Sequence, residues 1–448
     1  GKEHTLSEKE EALLAKASQI STVPNEVFSK FNNADVKFGN VKRENGQEDE
    51  LTNGNFATFM ESHDRTVRKA AFEALYKQYG AYINTIAAAF YGNVKQAMFY
   101  ADARGYKSTL NMYLDGSFIP ENVYKNLIKT VNDNLDKMYC YVDIRKKALG
   151  VDELHFYDIY APMVEDIDWK ISYDEAKDIV VKALAPMGEE YVSHIKEGFN
   201  NGWVDVYENT GKRSGAFSWG AYGTHPYVFL NYSDTLNDVF TVIHEMGHAM
   251  HTYYSNANQP YIYAGYKIFV AEVASTCNEA ILMQYMLKNT DDEKKKRYLL
   301  NHFFEQFKGT LYRQTMSAEF EMEAHAKAEH GEVLSAESLC AMYKKLNEKY
   351  FGPDMVIDDE IALEWARIPH FYTPFYVYQY ATGYSAAIAI STKILAGDEQ
   401  VIAGYRKFLS GGSSMHPIEL LKLCGIDMTR PDGVQGALDV VGELLKQW

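Results

Sequence analysis

Cysteine is scarce in this chain, with four residues among 448 and no C-x-x-C pair. This scarcity argues against a disulfide framework, and the four thiols are expected to stay reduced. Basic residues are also few, with 45 Lys and Arg against 61 Asp and Glu, which gives a net charge of −16. Because nucleic acids and anionic membranes attract positively charged surfaces, neither is an expected partner.

Long apolar runs are missing as well, both at the N-terminus and further along the chain. The residues from Lys2 to His4 are polar and show no signal region. One stretch, Phe371–Thr392, carries no charge, but five tyrosines, a proline and a glycine interrupt it. A lipid-facing helix would not be built this way, so the stretch is expected to be buried and to line a site. The sequence predicts a cytoplasmic protein without a membrane partner.

Helical periodicity dominates most of the sequence. Apolar residues recur at the 3.6-residue spacing of one buried helix face, for example over residues 120–150. Over residues 203–232 this pattern gives way to two short strand patterns separated by glycines. We therefore predict a mainly α protein in three segments. These are a helical N-terminal lobe (1–202), a small β insert (203–232) and a helical catalytic lobe (233–448).

The segment after the β insert carries the motif H-E-x-x-H at residues 244–248. Positions i and i+4 lie one turn apart on one helix face, so His244 and His248 can point at the same metal ion. Glu245 projects beside that ion, where it can hold a water and act as a general base. Gly247 is small enough to let this helix pack closely against another. The motif indicates one zinc ion per chain.

A catalytic zinc takes three protein ligands and one open position, so a third ligand should come from another helix. Glu272 is the preferred candidate, because it lies in an apolar helical stretch where an unpaired carboxylate would be costly to bury. Ser275, one turn further, could orient that carboxylate. Glu279 is the alternative ligand. His251, three residues after His248, fits the same ion poorly and is interpreted as structural.

Three blocks of residues, in this order, resemble the oligoendopeptidase F branch of the thimet oligopeptidase family. These blocks lie at 244–251, 269–276 and 368–383. Shorter similar segments lie at 213–217 and 408–412. The resemblance covers essentially the whole chain. Members of this branch usually carry a longer N-terminal region, so the chain is expected to be N-terminally shortened.

The resemblance implies a two-lobed helical fold with a deep channel and zinc on the channel floor. It also implies that an edge strand just before the zinc helix, around residues 220–230, pairs with an extended peptide substrate. A strand edge can supply the partners that the N–H and C=O groups of a peptide require. Only short, unfolded peptides would reach the floor of such a channel. The expected partners are therefore oligopeptide substrates.

Two further groups are implied by the resemblance, both acting on the negative charge that develops on the substrate carbonyl oxygen. His370 matches the histidine of the family, and Tyr376 is the best match to its tyrosine. Tyr378 and Tyr380 are the alternatives and are otherwise expected to bind substrate. Without the resemblance, tyrosines at this spacing would be interpreted as packing a buried helix rather than as catalytic.

The combined expectation is a cytosolic zinc endopeptidase that hydrolyses internal bonds of short unfolded oligopeptides. A zinc carboxypeptidase or dipeptidyl carboxypeptidase would share the chemistry but needs a cationic anchor for the terminal carboxylate. An inactive helical peptide-binding scaffold with a structural zinc is the alternative from another class. Against this scaffold, structural zinc sites are rich in cysteine, and no cysteine lies at ligand spacing here. The glutamate between the two histidines also favours activity.

Overall fold

The computed structural model describes residues 2–448, and α-helices make up most of its regular structure. Helices α1–α10 are Glu8–Ser21, Val23–Lys30, Phe56–Met60, Arg65–Ala81, Ile83–Ala103, Thr109–Asp115, Glu121–Asn132, Leu135–Leu149, Tyr173–Ala183 and Glu189–Asn200. Helices α11–α20 are Leu236–Asn258, Tyr261–Ala264, Ile268–Lys288, Glu293–Gln306, Arg313–Glu329, Ala336–Phe351, Tyr378–Leu395, Glu399–Leu409, Pro417–Lys422 and Asp432–Leu445. Short 3₁₀ or π segments are Lys2–His4, Phe31–Asp35, Phe156–Asp158, Ala185–Met187, Phe307–Tyr312, Asp359–Arg367 and Pro369–Tyr372. The predicted mainly α class is confirmed.

Five short strands form two small sheets in the described part of the chain. They are β1 Asn40–Lys42, β2 Glu48–Glu50, β3 Val204–Asp205, β4 Phe217–Trp219 and β5 Tyr227–Phe229. Strands β1 and β2 pair antiparallel. The other sheet has the order β3-β5-β4, with β3 parallel and β4 antiparallel to β5. The insert thus contains one strand, β4, in addition to the two that the sequence patterns predict.

This strand order corrects the expected position of the substrate strand. The strand within residues 220–230 is β5, which pairs with a neighbour on each side. Its backbone groups are therefore already used, and the expectation of an open edge there is wrong. The open edges belong to β3 and to the longer β4. An extended peptide could add to this sheet alongside β4.

The chain groups into two compact units, each built from segments that are far apart in sequence. The first unit contains Gly1–Glu121, Asn132–Glu165 and Tyr312–Tyr378. The second unit contains Asn122–Val131, Asp166–Leu311 and Gln379–Trp448. The division of the sequence into segments that end at residues 202 and 232 stays a prediction.

The uncharged stretch 371–392 lies largely in α17, and buried residues are frequent in that helix. Ala386, Ala387 and Ile390 have no exposed surface. Within residues 2–448, no helix has both the length and the apolar composition that crossing a membrane requires.

The first unit contains a buried ion-pair network around Asp158, which has no exposed surface. Arg68 Nη2 lies 2.8 Å from Asp158 Oδ1, and Arg65 Nη2 lies 2.9 Å from Oδ2. The N–H of His155 also donates to Oδ2 over 2.9 Å. Burial alone would raise the pKa of Asp158, but these hydrogen bonds hold the pKa below its ordinary value. The network joins α4 to the segment that ends at Asp158.

We expect Asp158→Asn to lower the free energy of unfolding by about 3 kcal/mol, because the change leaves Arg68 buried without its counter-charge. The pKa of Asp158 is lower in the folded protein than in the unfolded chain. The stabilisation is therefore complete above the unfolded-state pKa of about 4 and is lost as the pH falls through the folded-state pKa.

Urea unfolding of the wild-type and Asp158→Asn proteins at about pH 7 and about pH 3 measures the loss of stability and its pH dependence. The difference between their free energies of unfolding should be smaller at the lower pH. Asp143→Asn is the matched control, because Asp143 forms an exposed pair with Lys147 at 2.7 Å. The control should change the free energy of unfolding by less than about 1 kcal/mol. Equal effects of the two substitutions would contradict the role assigned to the buried network.

Candidate active site

Helix α11 presents the two histidines of the motif on one face. Its start is fixed by a capping box: Thr235 Oγ1 accepts from the N–H of Asp238, and the Asp238 carboxylate accepts from the N–H of Thr235. His244 and His248 follow on this helix, and their ring centroids are 4.8 Å apart. Both rings are half-buried. The i, i+4 arrangement expected from the motif is present in the structure.

Glu272 on α13 faces both histidines. Its Oε2 lies 3.6 Å from His244 Nε2, and its Oε1 lies 3.6 Å from His248 Nε2. The three candidate ligand atoms fall within 4.8 Å of one another. Two imidazole nitrogens and one carboxylate oxygen form the donor set of a catalytic zinc, with a further position left open. Ser275 Oγ donates to Glu272 Oε2 over 3.2 Å, which is the orienting contact expected from the sequence.

The exposure of Glu272 differs from the expectation. Its side chain is 53% exposed, although its sequence neighbours are apolar. Val270, Val273 and Ala274 form the buried face of α13, and Glu272 lies on another face of this helix. The sequence analysis preferred Glu272 as the third ligand because burying an unpaired carboxylate is costly. The side chain is not buried, so this reason for preferring Glu272 is wrong. The Glu272 carboxylate is therefore accessible to solvent.

Gly247 allows α11 and α13 to approach closely beside these residues. A Cβ at this position would lie 2.7 Å from the carbonyl oxygen of Ala274 and 2.8 Å from the Cα of Ser275. Both are backbone atoms, so relieving such a contact would require a shift of α13 or α11. The close helix packing expected from this glycine brings Glu272 within reach of the two histidines.

Glu279, considered above as the alternative ligand, contacts the other ring nitrogen of His244. Its Oε1 accepts a hydrogen bond from His244 Nδ1, and its Oε2 accepts one from Gln306 Nε2 over 3.0 Å. With Nδ1 protonated, His244 Nε2 offers its lone pair to a metal. Burial lowers the pKa of His244, but the hydrogen bond and charge of Glu279 outweigh it, and the pKa is raised.

The role of Glu279 was missed from the sequence, although a signal for it exists. Seven residues, close to two helical turns, separate Glu272 from Glu279. Two carboxylates at this spacing lie on the same face of a helix, so both can approach a histidine on a neighbouring helix. One then contacts the metal-facing nitrogen, and the other contacts the opposite nitrogen.

We expect Glu279→Ala to weaken zinc binding by about 10- to 100-fold, because His244 loses the acceptor that fixes its ring and tautomer. Competition with a chelating dye measures the affinity. Glu293→Ala is the matched control, since its exposed side chain pairs with Lys296. Zinc affinity that is unchanged in Glu279→Ala would show that this contact does not orient the ligand.

Glu245 is buried beside the two histidines, with 7% of its surface exposed. Its Oε2 has no hydrogen-bond partner among residues 2–448. Burial raises the pKa of Glu245 to about 7; the charge of His244 opposes this rise, and the charge of Glu272 adds to it. A buried carboxylate oxygen without a partner is costly unless the site has a use for it. This atom and the neighbouring donor set fit a zinc ion with an adjacent general base.

His251 takes no part in this arrangement. Its ring is buried and stacks on Tyr266, with centroids 3.7 Å apart. Burial lowers the pKa of His251 to about 3, so the ring is neutral at ordinary pH. These contacts support the structural interpretation made from the sequence.

The predicted substrate-contacting residues divide between the two units. His370 and Tyr376 belong to the first unit, where their rings are parallel and their centroids are 6.1 Å apart. Tyr378 also belongs to the first unit, but it is 2% exposed and burial raises its pKa. Tyr380 belongs to the second unit and is half-buried. Tyr376 is less buried than Tyr378 and is therefore favoured as a substrate contact. The roles of all four residues stay predictions.

A mainly helical protein with this H-E-x-x-H helix and a facing carboxylate has the features of a metallopeptidase. Comparison with known families narrows this class. Residues 58–440 match peptidase family M3, and residues 1–38 match the family described as Oligopeptidase F. The chain belongs to peptidase family M3. This confirms the resemblance seen in the sequence and the expectation of a metallopeptidase.

Individual relatives agree with this assignment. Oligopeptidase PepF of Bacillus subtilis is 53% identical over 444 residues, which cover 99% of this chain and 66% of that protein. An oligoendopeptidase F homolog of Lactococcus lactis is 43% identical over 446 residues, which cover 100% of this chain and 74% of that protein. The crystal structure of oligoendopeptidase-F from Enterococcus faecium matches with a TM-score of 0.85 at 37% identity, over 99% of this chain and 74% of that one. The chain thus spans only part of the length of each relative.

Proposed function

We propose that this chain is a zinc-dependent endopeptidase that hydrolyses internal bonds of short, unfolded oligopeptides in the cytoplasm. The supporting observation is the convergence of His244, His248 and Glu272, with the unpaired Oε2 of Glu245 beside them. Relatives named for oligopeptidase activity, such as PepF, support the substrate class. The net charge of −16 argues against nucleic acid as a partner.

His244, His248 and Glu272 would hold the metal, and Glu279 would keep His244 in the tautomer that offers Nε2. When bound, zinc acts as a Lewis acid that polarises the scissile carbonyl and lowers the pKa of water to near neutral. Glu245 accepts the proton of the attacking water and returns it to the leaving amine. Its burial makes this carboxylate a stronger base than an exposed glutamate would be.

His370 and Tyr376 donate hydrogen bonds to the oxygen on which negative charge develops. The edge of β4 pairs with the backbone of the extended substrate. Backbone pairing of this kind is independent of side-chain identity, so it suits a pool of oligopeptides with varied sequences. Side-chain preference at the cleaved bond would then come from groups outside this strand.

Mass spectrometry of the products from a peptide of about ten residues, blocked at both ends, tests the proposal. The peptide is incubated with the chain alone, with a chelator, and with a chelator followed by added zinc. Internal cuts that disappear with the chelator and return with zinc are the expected result.

Two other outcomes would contradict the endopeptidase proposal. An intact blocked peptide, together with trimming of the same peptide when its C-terminus is free, would identify a carboxypeptidase. Cuts that persist at full rate after verified removal of the metal would exclude zinc dependence.

A further inference from the structure

We propose that Glu321 is a positioning residue that holds the segment carrying His370 and Tyr376 in its active conformation. Glu321 accepts a hydrogen bond from the backbone of that segment and acts through this contact. This inference rests on the proposed role of Tyr376 in stabilising the oxyanion. It adds a residue that the sequence patterns did not single out.

Phe375, the residue before Tyr376, has a left-handed backbone with a φ of 57°. Residues other than glycine rarely adopt this conformation, because the Cβ comes too close to the following carbonyl oxygen. Among residues 2–448 only Phe118, Asp234 and Phe375 share a positive φ without being glycine. Such strain persists only where neighbouring contacts hold it, and it sets the direction in which the next residue leaves the turn.

Glu321 supplies one of those contacts. Its Oε1 accepts a hydrogen bond from the N–H of Phe375 over 3.0 Å. Glu321 lies on α15, has no exposed surface, and its Oε2 has no hydrogen-bond partner in the described chain. Burial raises the pKa of Glu321 well above its ordinary value. Burying an acid is costly, and the one hydrogen bond of Glu321 goes to a strained backbone. This combination indicates a specific use of that contact.

A second side chain on the same face of α15 fixes the ring of Phe375. His325, one turn after Glu321, packs against this ring with centroids 4.6 Å apart. His325 is itself buried, and its Nδ1 lies 3.0 Å from Thr109 Oγ1. The backbone of Phe375 is therefore held by Glu321 and its ring by His325, which leaves little freedom for the turn that leads into Tyr376.

The test compares Glu321→Met with Glu321→Gln. Both side chains approximate the shape of glutamate, but only glutamine keeps an oxygen that can accept from the N–H of Phe375. We expect Glu321→Met to lower kcat by about 10- to 100-fold with little change in KM and in zinc content, because a small displacement of Tyr376 weakens only the transition-state contact. Glu321→Gln should recover most of the wild-type kcat. Glu323→Ala is the control on α15, since its partly exposed side chain pairs with Lys327.

A double-mutant cycle with Tyr376→Phe separates positioning from a general loss of stability. If Glu321 acts through Tyr376, Glu321→Met should cost little further kcat once Tyr376 is already Phe. Glu321→Asp, which withdraws the acid from Phe375 by one methylene, repeats the test if the Met variant unfolds below the assay temperature.

Three results from the Glu321 variants would overturn the inference. They are a Met variant with kcat within about twofold of wild type, equal losses in the Met and Gln variants, or a loss that is undiminished in the Tyr376→Phe background. If Tyr376→Phe alone keeps normal kcat, the role of Tyr376 and this inference both fail. Metal-dependent cleavage by the wild-type chain would still stand in that case, so the two proposals fail separately.

Discussion

Glu245→Gln is expected to lower kcat by about 10³-fold or more while the bound zinc stays in place. Glutamine has nearly the shape of glutamate, so the packing of α11 and the positions of His244 and His248 should be kept. Its amide cannot take the proton of the attacking water, which is the step assigned to Glu245. Turnover of a fluorogenic oligopeptide measures kcat, and atomic absorption measures the zinc content.

Glu419→Gln provides the matched control, because this residue of the second unit is exposed and pairs with Lys422 at 2.9 Å. The control should keep both kcat and zinc. A Glu245→Gln protein with near-normal kcat would remove Glu245 as the base. Loss of zinc together with turnover would instead indicate that Glu245 contributes to holding the metal.

Gly247→Ala is expected to lower the free energy of unfolding by about 2 kcal/mol and to weaken zinc binding by at least about 10-fold. Alanine is favoured over glycine inside a helix by about 1 kcal/mol, which alone would predict a more stable protein. The new Cβ, however, would lie 2.7 Å from the carbonyl oxygen of Ala274. Because that atom belongs to the backbone, α11 and α13 must separate, and Glu272 moves away from the histidines.

Gly309→Ala is the control for this prediction, since no heavy atom lies within 4 Å of a Cβ built at Gly309. That substitution should leave zinc affinity unchanged. Chemical unfolding and dye competition on both variants give the two quantities. If Gly247→Ala binds zinc as tightly as wild type, the close approach of α11 and α13 does not set the distance between the candidate ligands.

The sequence was sufficient to predict features whose geometry depends on residues close together in the chain. The spacing of His244 and His248 predicts their common face, since four residues make about one helical turn. Ser275 was likewise predicted from its place one turn after Glu272. The mainly α class followed from periodicity that extends through most of the chain.

The remaining features depend on contacts between segments that are distant in sequence. Glu279 meets His244 only because Gly247 sets the distance between α11 and α13. Glu321 meets Phe375 across 54 residues of sequence, and no periodic pattern marks that pairing. Strand β5 is central rather than at an edge because β4 pairs with it, and the sequence analysis did not predict β4.

The first unit is built from separate segments of the chain, so it cannot be completed until its last segment has been synthesised. Its N-terminal segment ends at Glu121, whereas its last segment begins at Tyr312. At about 5–20 residues per second, a ribosome needs on the order of ten seconds or more to supply the missing part. The ring of Phe90, for example, packs against Phe320 and Phe371 of the last segment and stays uncovered until that segment has been made. Chaperone protection of the nascent chain should therefore matter most before Tyr378 has emerged.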